Sequence, residues 1–499
     1  MLAGLGTVLV GSVAGCRSSG SNSQGSDAGA GDSTSSSGSG GSGSSGSGSS
    51  GGSSSECPSG LTCNVSCSGG GTTSITGTVY DPAGRDPLYN IEVYVPAKSL
   101  VPLPQGVPTG SAACSCPALY PSGEVAATST AVDGTFRLTN APVGDVSLVI
   151  QVGKWRRLFH VTTTACENTA VPDGTLLLPS TVAAGDTDDS IPQIAVSTGA
   201  EDTLECLLIR MGLSASEYVA GAGGTGHVHI FAGGYTGDGG FVDNVGLPET
   251  PGMAGAPPSY SNLWDSQGEM MPYDVVLLSC EGGETYDANP PALEAYLNAG
   301  GRVFASHLHY AWFSGPLSSG QAYAAPADWG TNLATWTADG GSFAGPIGGT
   351  IATTLNGSAF AEGQALYEWL GGVTALGQDG VSSPELSIYE PRYNAQVGPT
   401  NKPSQPWITS SPWTMSFSFD TPIGGLTDAG ESGPLYCGRA AFGDLHTSGN
   451  PMTTDTPDPP GGCYTGDLSP QEKALEFLFF NLSGCVQLPV QNLLIDPPL

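Results

Sequence analysis

A few side chains in this sequence stand where chemistry could be done. Cys280-Glu281 follows the apolar run Val275-Val276-Leu277-Leu278, and His307 and His309 follow a second run, Arg302-Val303-Phe304-Ala305. A thiol, an imidazole and a carboxylate that converge can serve as nucleophile, base and orienter, so Cys280, Glu281 and His307 are candidate catalytic residues. His307, His309, Asp444 and His446 are candidate ligands of a divalent metal. Residues two apart on a strand project to one face, so His-x-His and Asp-x-His on neighbouring strands would supply three or four donors. A third use of the same region is a polar, carbohydrate-like ligand touched by Tyr310 and Trp312. His227 and His229 flank Val228 in an apolar run and read as packing, and His160 has no partner in sequence.

Position gives these residues their interest. Between the two apolar runs, residues 290–299 have helical spacing and stop at Gly300-Gly301. Strand, helix, Gly stop and strand make a βαβ unit of a parallel sheet. Ligands of such sheets collect at the carboxyl ends of the strands, where Cys280, His307 and His309 lie. An earlier strand–turn–helix step is expected over residues 191–211, and a second strand over His227-Val228-His229-Ile230-Phe231. Ser469-Pro470-Gln471-Glu472 opens a final amphipathic helix, with Ser as N-cap, Pro at N1 and Glu at N3. Residues 314–415 are rich in Gly, Pro and Ser, with Trp329, Trp336, Trp369, Trp407 and Trp413 scattered through them. They read as an elaborated insertion over the sheet's carboxyl edge.

Charge and cysteine usage narrow the function classes. Lys+Arg number 13 against 45 Asp+Glu, for a formal net charge of −32. Nucleic-acid binding needs basic patches, so that class is set aside. One basic island, Lys154-Trp155-Arg156-Arg157, reads as a solvated strand end. The twelve cysteines lack paired CxxC spacing and point to disulfides in an oxidising compartment. Connectivity is not deducible from sequence; the local pairs Cys116–Cys166 and Cys463–Cys485 are the simplest guesses.

The N-terminus reads as an export signal. Residues 2–15 are apolar over the length of a signal-peptide core and too short to span a bilayer. Val13-Ala14-Gly15-Cys16 resembles the lipobox of bacterial lipoproteins, which implies cleavage before Cys16 and lipidation of its thiol. No Lys or Arg precedes the apolar run, so the true start is expected upstream. Residues 17–55 are almost wholly Ser and Gly and cannot bury a core. Such a tether has an end-to-end distance of about 35 Å.

Residues 73–183 show short alternating strands with Gly, Pro and Asp turns, the pattern of a β-sandwich. Gly77-Thr78-Val79-Tyr80-Asp81, Asn90-Ile91-Glu92-Val93-Tyr94-Val95 and Thr130-Ala131-Val132-Asp133-Gly134-Thr135-Phe136 carry a resemblance to the carboxypeptidase regulatory-like (transthyretin-like) sandwich. That resemblance implies an accessory or binding module. Residues 98–124, with Cys114 and Cys116, are extra to the minimal pattern.

Residues 190–487 carry a second resemblance. Tyr273-Asp274-Val275-Val276-Leu277-Leu278, Ala299-Gly300-Gly301-Arg302-Val303-Phe304, and Gly438-Arg439-Ala440-Ala441-Phe442 with His446 resemble the class I glutamine amidotransferase-like fold, closest to its trehalose-utilisation-type branch. The family places a nucleophilic Cys on a G-x-C-x-G elbow. Here that elbow reads Ala305-Ser306-His307-Leu308-His309, so glutaminase activity is not carried over.

The sequence thus reads as multidomain. Residues 1–16 form the signal and lipobox, 17–72 a disordered linker with a Cys cluster, and 73–183 an N-terminal β-sandwich. Residues 190–487 form an α/β flavodoxin-like parallel-sheet domain with a long insertion at about 314–415, and 488–499 a tail. The expected function is binding or scaffolding by a secreted protein, lipid-anchored through Cys16 to a bacterial membrane, at the outer membrane or cell surface. The alternative is an extracellular hydrolase or metal-dependent enzyme acting on a polar, carbohydrate-like substrate.

Overall fold

The structure, a computed structural model, describes residues 57–110, 114–199, 201–233, 235–236, 240–241, 256–338, 345–355, 357–426, 435–447, 463 and 466–486. The signal and lipobox, most of the Ser/Gly linker and the tail fall outside these residues. Among the described residues no helix is long and apolar enough to cross a membrane.

The chain is β-rich and built of several sheets. Its first part forms two four-stranded sheets. In one, Ser74–Tyr80 lies between Thr135–Thr139, antiparallel, and Asn168–Ala170, parallel, and also pairs with Leu176–Leu177. In the other, Glu124–Ser129, Glu92–Pro96, Gly144–Val152 and Trp155–Thr163 run antiparallel in that order. Alternation decides which side is buried. In Thr135–Thr139 only Phe136 and Leu138 are buried, and they join Ile75, Val79, Val93, Leu148 and Ile150 in the core.

The second part is one ten-stranded sheet. Its strands in chain order are β1 (Ile194–Ser197), β2 (Tyr218–Ala220), β3 (Val228–Phe231), β4 (Val275–Leu278), β5 (Arg302–Ser306), β6 (Ile347–Ile351), β7 (Leu386–Ile388), β8 (Gln405–Ser410), β9 (Trp413–Thr421) and β10 (Gly438–Gly443). Across the sheet the order is β2-β3-β1-β4-β5-β10-β9-β8-β6-β7. The first six strands are parallel and the last four join antiparallel. Every residue of β1 and β4 is buried, as expected for parallel strands covered on both faces. The helices include α1 (Leu204–Arg210), α2 (Pro290–Asn298) and α3 (Pro470–Ser483). The α2 start is set by Asn289, whose side chain accepts the Ala292 N–H, with Pro at the first turn. At α3 the Glu472 carboxylate reaches back to the Ser469 N–H at 2.8 Å.

The described residues form a single compact unit, and α3 joins its two parts. Phe477 stacks on Tyr89 at 5.8 Å, and Phe480 meets the Trp155 ring edge-on at 5.7 Å. Lys473 holds both oxygens of Asp86, at 2.6 and 2.7 Å. The basic island differs from its sequence reading as a solvated end. Lys154, Trp155 and Arg156 are buried; Lys154 pairs with Asp274 of the second part, and Arg156 donates to the carbonyls of Val101, Thr187 and Asp188.

Both local disulfide guesses are overturned. Cys166 pairs with Cys67, Cys116 with Cys485, and Cys463 with Cys206; Cys57–Cys63 and Cys114–Cys437 complete the set. Cys114 and Cys116, in the extra segment of the first part, reach across 323 and 369 residues to staple it to the second. The long insertion does more than reach over the carboxyl edge, where its Glu390 and Arg392 meet His446. Its strands β6 to β8 extend the sheet sideways, and Trp369 and Trp407 are buried in core between sheet and helices.

Candidate thiol–imidazole site

The site is built where the parallel strands end. Cys280 comes two residues after β4, His307 directly after β5 and His446 three residues after β10. Hydrogen-bonded neighbours in the order β1-β4-β5-β10 bring these exits together. The Cys280 Sγ lies 3.1 Å from His307 Nδ1, and the His307 and His446 rings are 5.0 Å apart, centroid to centroid. One potential ligand atom from each of Cys280, His307 and His446 lies within 4.8 Å of the others. All three residues are buried, and Cys280 is the only free cysteine among the described residues.

Backbone geometry explains the convergence. His307 has φ +46°, in the left-handed region that costs a non-Gly residue roughly 1–2 kcal/mol. It opens the 3-10 turn His307–Tyr310, so His307 and His309 are not on a strand, and the shared strand face expected from the sequence does not exist. Asp444 and His446 likewise follow the end of β10. On the Cys280 side, Gly199 allows a close approach: a Cβ there would sit 2.1 Å from the Cys280 carbonyl oxygen. That carbonyl also accepts the Glu201 N–H at 3.0 Å.

A buried carboxylate, Asp202, holds the two histidine segments in register. Its Oδ1 accepts the N–H of Thr447, at 2.8 Å, and the Thr447 hydroxyl, while Oδ2 accepts the hydroxyl of Ser306. Ser306 precedes His307 and Thr447 follows His446, so a single side chain positions both rings. His446 Nδ1 faces Arg392 Nη2 at 3.2 Å and Glu390 Oε2 at 3.7 Å. Its Nε2 and the Nε2 of His307 have no hydrogen-bond partner although both are buried.

Electrostatics separates the two rings. Burial pushes His307 well below the usual histidine range, and the neighbouring His446 and Arg392 add to this, so it is neutral. Burial acts downward on His446 too, but Cys280 and Glu390 outweigh it and raise its pKa to about 10. Contact with His446 in turn lowers Glu390.

The other candidates lie apart from this cluster. His309 Nδ1 accepts from Thr285 and from Trp312 Nε1, and its Nε2 donates to the Ser279 carbonyl at 2.8 Å, so both nitrogens are spent. Asp444 Oδ2 accepts the N–H groups of Asn394 and Ala395 and fixes that loop; burial raises its pKa to about 7. Glu281 is buried beside Cys280, with Oε1 close enough to Gly233 that a Cβ there would lie 2.8 Å away. Tyr310 and Trp312 are fully buried and hydrogen-bonded to Glu284 and His309, so neither offers a ring face to a sugar as the sequence had suggested. His227 is paired with Glu217 at 2.5 Å, and His229 contacts Tyr273.

Sequence reasoning missed Asp202, Glu390 and Arg392. Asp202 carried one signal, an acidic residue just past the first parallel strand. Glu390 and Arg392 carried none, because the insertion that delivers them has no motif. No family model, curated protein or solved structure matches this chain.

Proposed function

We propose that this is an exported, lipid-anchored cell-envelope protein with a binding role, whose working centre is the Cys280–His307–His446 cluster. The observation that carries the reading is the convergence of these three side chains at the carboxyl ends of β4, β5 and β10. Five strands of the parallel part have the order β3-β1-β4-β5-β10, which is the flavodoxin-like sequence 2-1-3-4-5. That order supports an amidotransferase-like α/β domain. The left-handed turn at His307 supports a displaced elbow, with histidine in place of the family's nucleophile. The paired sheets of the first part fit an accessory sandwich, and the disulfides fit an oxidising compartment.

Native-state alkylation tests the centre. A small alkylating reagent should modify Cys280 in the folded protein, and His446→Ala should change the rate at least several-fold. Modification only at urea concentrations that also abolish the far-ultraviolet circular dichroism would make Cys280 an inert core residue and sink the reading. For the anchor, Cys16→Ser should remove the lipid mass and release the protein from the membrane fraction; an unchanged mass and fraction would reject it.

A further inference from the structure

We infer that Cys280, His307 and His446 are three protein ligands of one borderline-soft transition-metal dication of the Zn2+ class, with a fourth position open to a small ligand. The inference rests on the preceding reading of the carboxyl edge as the working centre and names what that centre binds.

Four observations carry it. The first is spacing. A tetrahedral ion bound at about 2.3 Å to sulfur and 2.0–2.1 Å to nitrogen holds its donors roughly 3.3–3.6 Å apart. The Sγ–Nδ1 distance of 3.1 Å and the 4.8 Å limit on all three atoms bracket that separation.

The second is an unmet bonding need. His446 Nε2 is buried and unpartnered, while Nδ1 on the same ring faces Glu390 and Arg392. Arg392 only donates, so Nδ1 accepts from it, and Glu390 at 3.7 Å lies beyond hydrogen-bond reach; a metal at Nε2 takes the place of the ring proton.

The third is donor type. Asp202 is committed to Ser306 and Thr447, and Asp444 Oδ2 to two backbone N–H groups, while Asp444 Oδ1 is buried without a hydrogen-bond partner. One sulfur and two imidazole nitrogens favour zinc or a similar ion over the hard cations Ca2+ and Mg2+. The fourth is redox context. Ten of the twelve cysteines form disulfides, yet Cys280 stays a thiol beside two imidazoles.

Among the described residues the cluster has three ligands. Three protein ligands and an open position are the pattern of zinc sites that bind or activate a small ligand, whereas structural sites are closed by four. Binding deprotonates the thiol and frees His446 Nε2, and the protons pass to solvent.

The test uses the folded, disulfide-intact protein, stripped with a chelator and dialysed against Zn2+ or Co2+. Wild type should retain one ion per chain by elemental mass spectrometry. The Co2+ form should show a thiolate-to-cobalt charge-transfer band. Cys280→Ser, His307→Ala and His446→Ala should each weaken retention at least ten-fold, with the band lost in Cys280→Ser. His160→Ala, at an exposed position on the first part, should behave as wild type. Should a site variant fail to fold, the wild-type cobalt spectrum alone decides, and absence of the thiolate band overturns the inference. Retention unaffected by all three substitutions also overturns it. No retained metal with Cys280 still alkylated in the native state removes the metal and leaves the working centre. No retained metal with alkylation only on unfolding removes both.

Discussion

Cys280 Sγ and His307 Nδ1 lie 3.1 Å apart, although each belongs to the exit of a different parallel strand. Their meeting follows from two local features. β4 and β5 pair in register from Val275–Arg302 to Leu278–Ala305, which sets the exits side by side. The left-handed backbone at His307 then turns its ring toward the thiol instead of continuing the strand alternation.

That backbone conformation predicts an unusual ranking of substitutions. Alanine at 307 keeps the steric cost of φ +46°, whereas glycine does not. His307→Gly should therefore be more stable than His307→Ala by about 0.5–1 kcal/mol in urea denaturation, despite glycine's greater freedom in the unfolded chain. A more stable alanine variant would contradict the left-handed turn.

Asp202 is a positioning residue. In Asp202→Asn an amide N–H2 must face either the Thr447 or the Ser306 donor, in a fully buried location. The expected cost is about 2–3 kcal/mol in urea denaturation. Because Asp202 holds both histidine segments, the variant should also bind Co2+ at least several-fold more weakly while still folded. Lost stability with unchanged cobalt affinity would assign it a structural role alone.

Glu205 on α1 gives a pH dependence of defined sign. Burial raises its pKa to about 8 from an ordinary value near 4.5, with nearby Asp202 adding to the rise. The folded state therefore holds the proton more tightly than the unfolded state. Its contribution is fully present below pH 4.5 and is lost as pH rises toward 8. Glu205→Gln should melt close to wild type at pH 4.5 and clearly above it at pH 8.5. An equal difference at both pH values would show that Glu205 is not protonated in the fold.

Arg302 is a carbonyl clamp. Its guanidinium donates to Gly300, Gly301, Cys437, Leu482 and Gly484, joining the ends of α2 and α3 to the start of β10. Lysine has three donors and no planar fork, so Arg302→Lys leaves at least two of these carbonyls unserved. Chemical denaturation should show a loss of about 2–4 kcal/mol. A loss below about 0.5 kcal/mol, the range of ordinary surface substitutions, would mean that water replaces the clamp.

Local features of this fold were readable in the sequence because they are set by neighbours. The apolar run 275–278, the helix opened by Asn289-Pro290 and the stop at Gly300 each depend on a few adjacent residues. The α3 start at Ser469-Pro470 is of the same kind. What was not readable depends on residues brought together from far along the chain. Cys116 finds Cys485 only because α3 ends against the first part, a meeting that local spacing does not encode. Lys154 and Arg156 looked solvated because their carboxylate and carbonyl partners lie in other segments. The placement of Cys280 and His307 at strand exits was legible. The separation of His309 from the cluster was not, because it depends on the sign of one φ angle and on Thr285, Trp312 and Ser279.

The most direct measurement of the central claim is the X-ray absorption spectrum of the zinc- or cobalt-loaded protein at the metal edge, which reads the donor set itself. One sulfur scatterer with two imidazole ligands, the sulfur absent in Cys280→Ser, is the predicted result. A first shell of oxygen and nitrogen alone in wild type would contradict a centre formed by Cys280, His307 and His446.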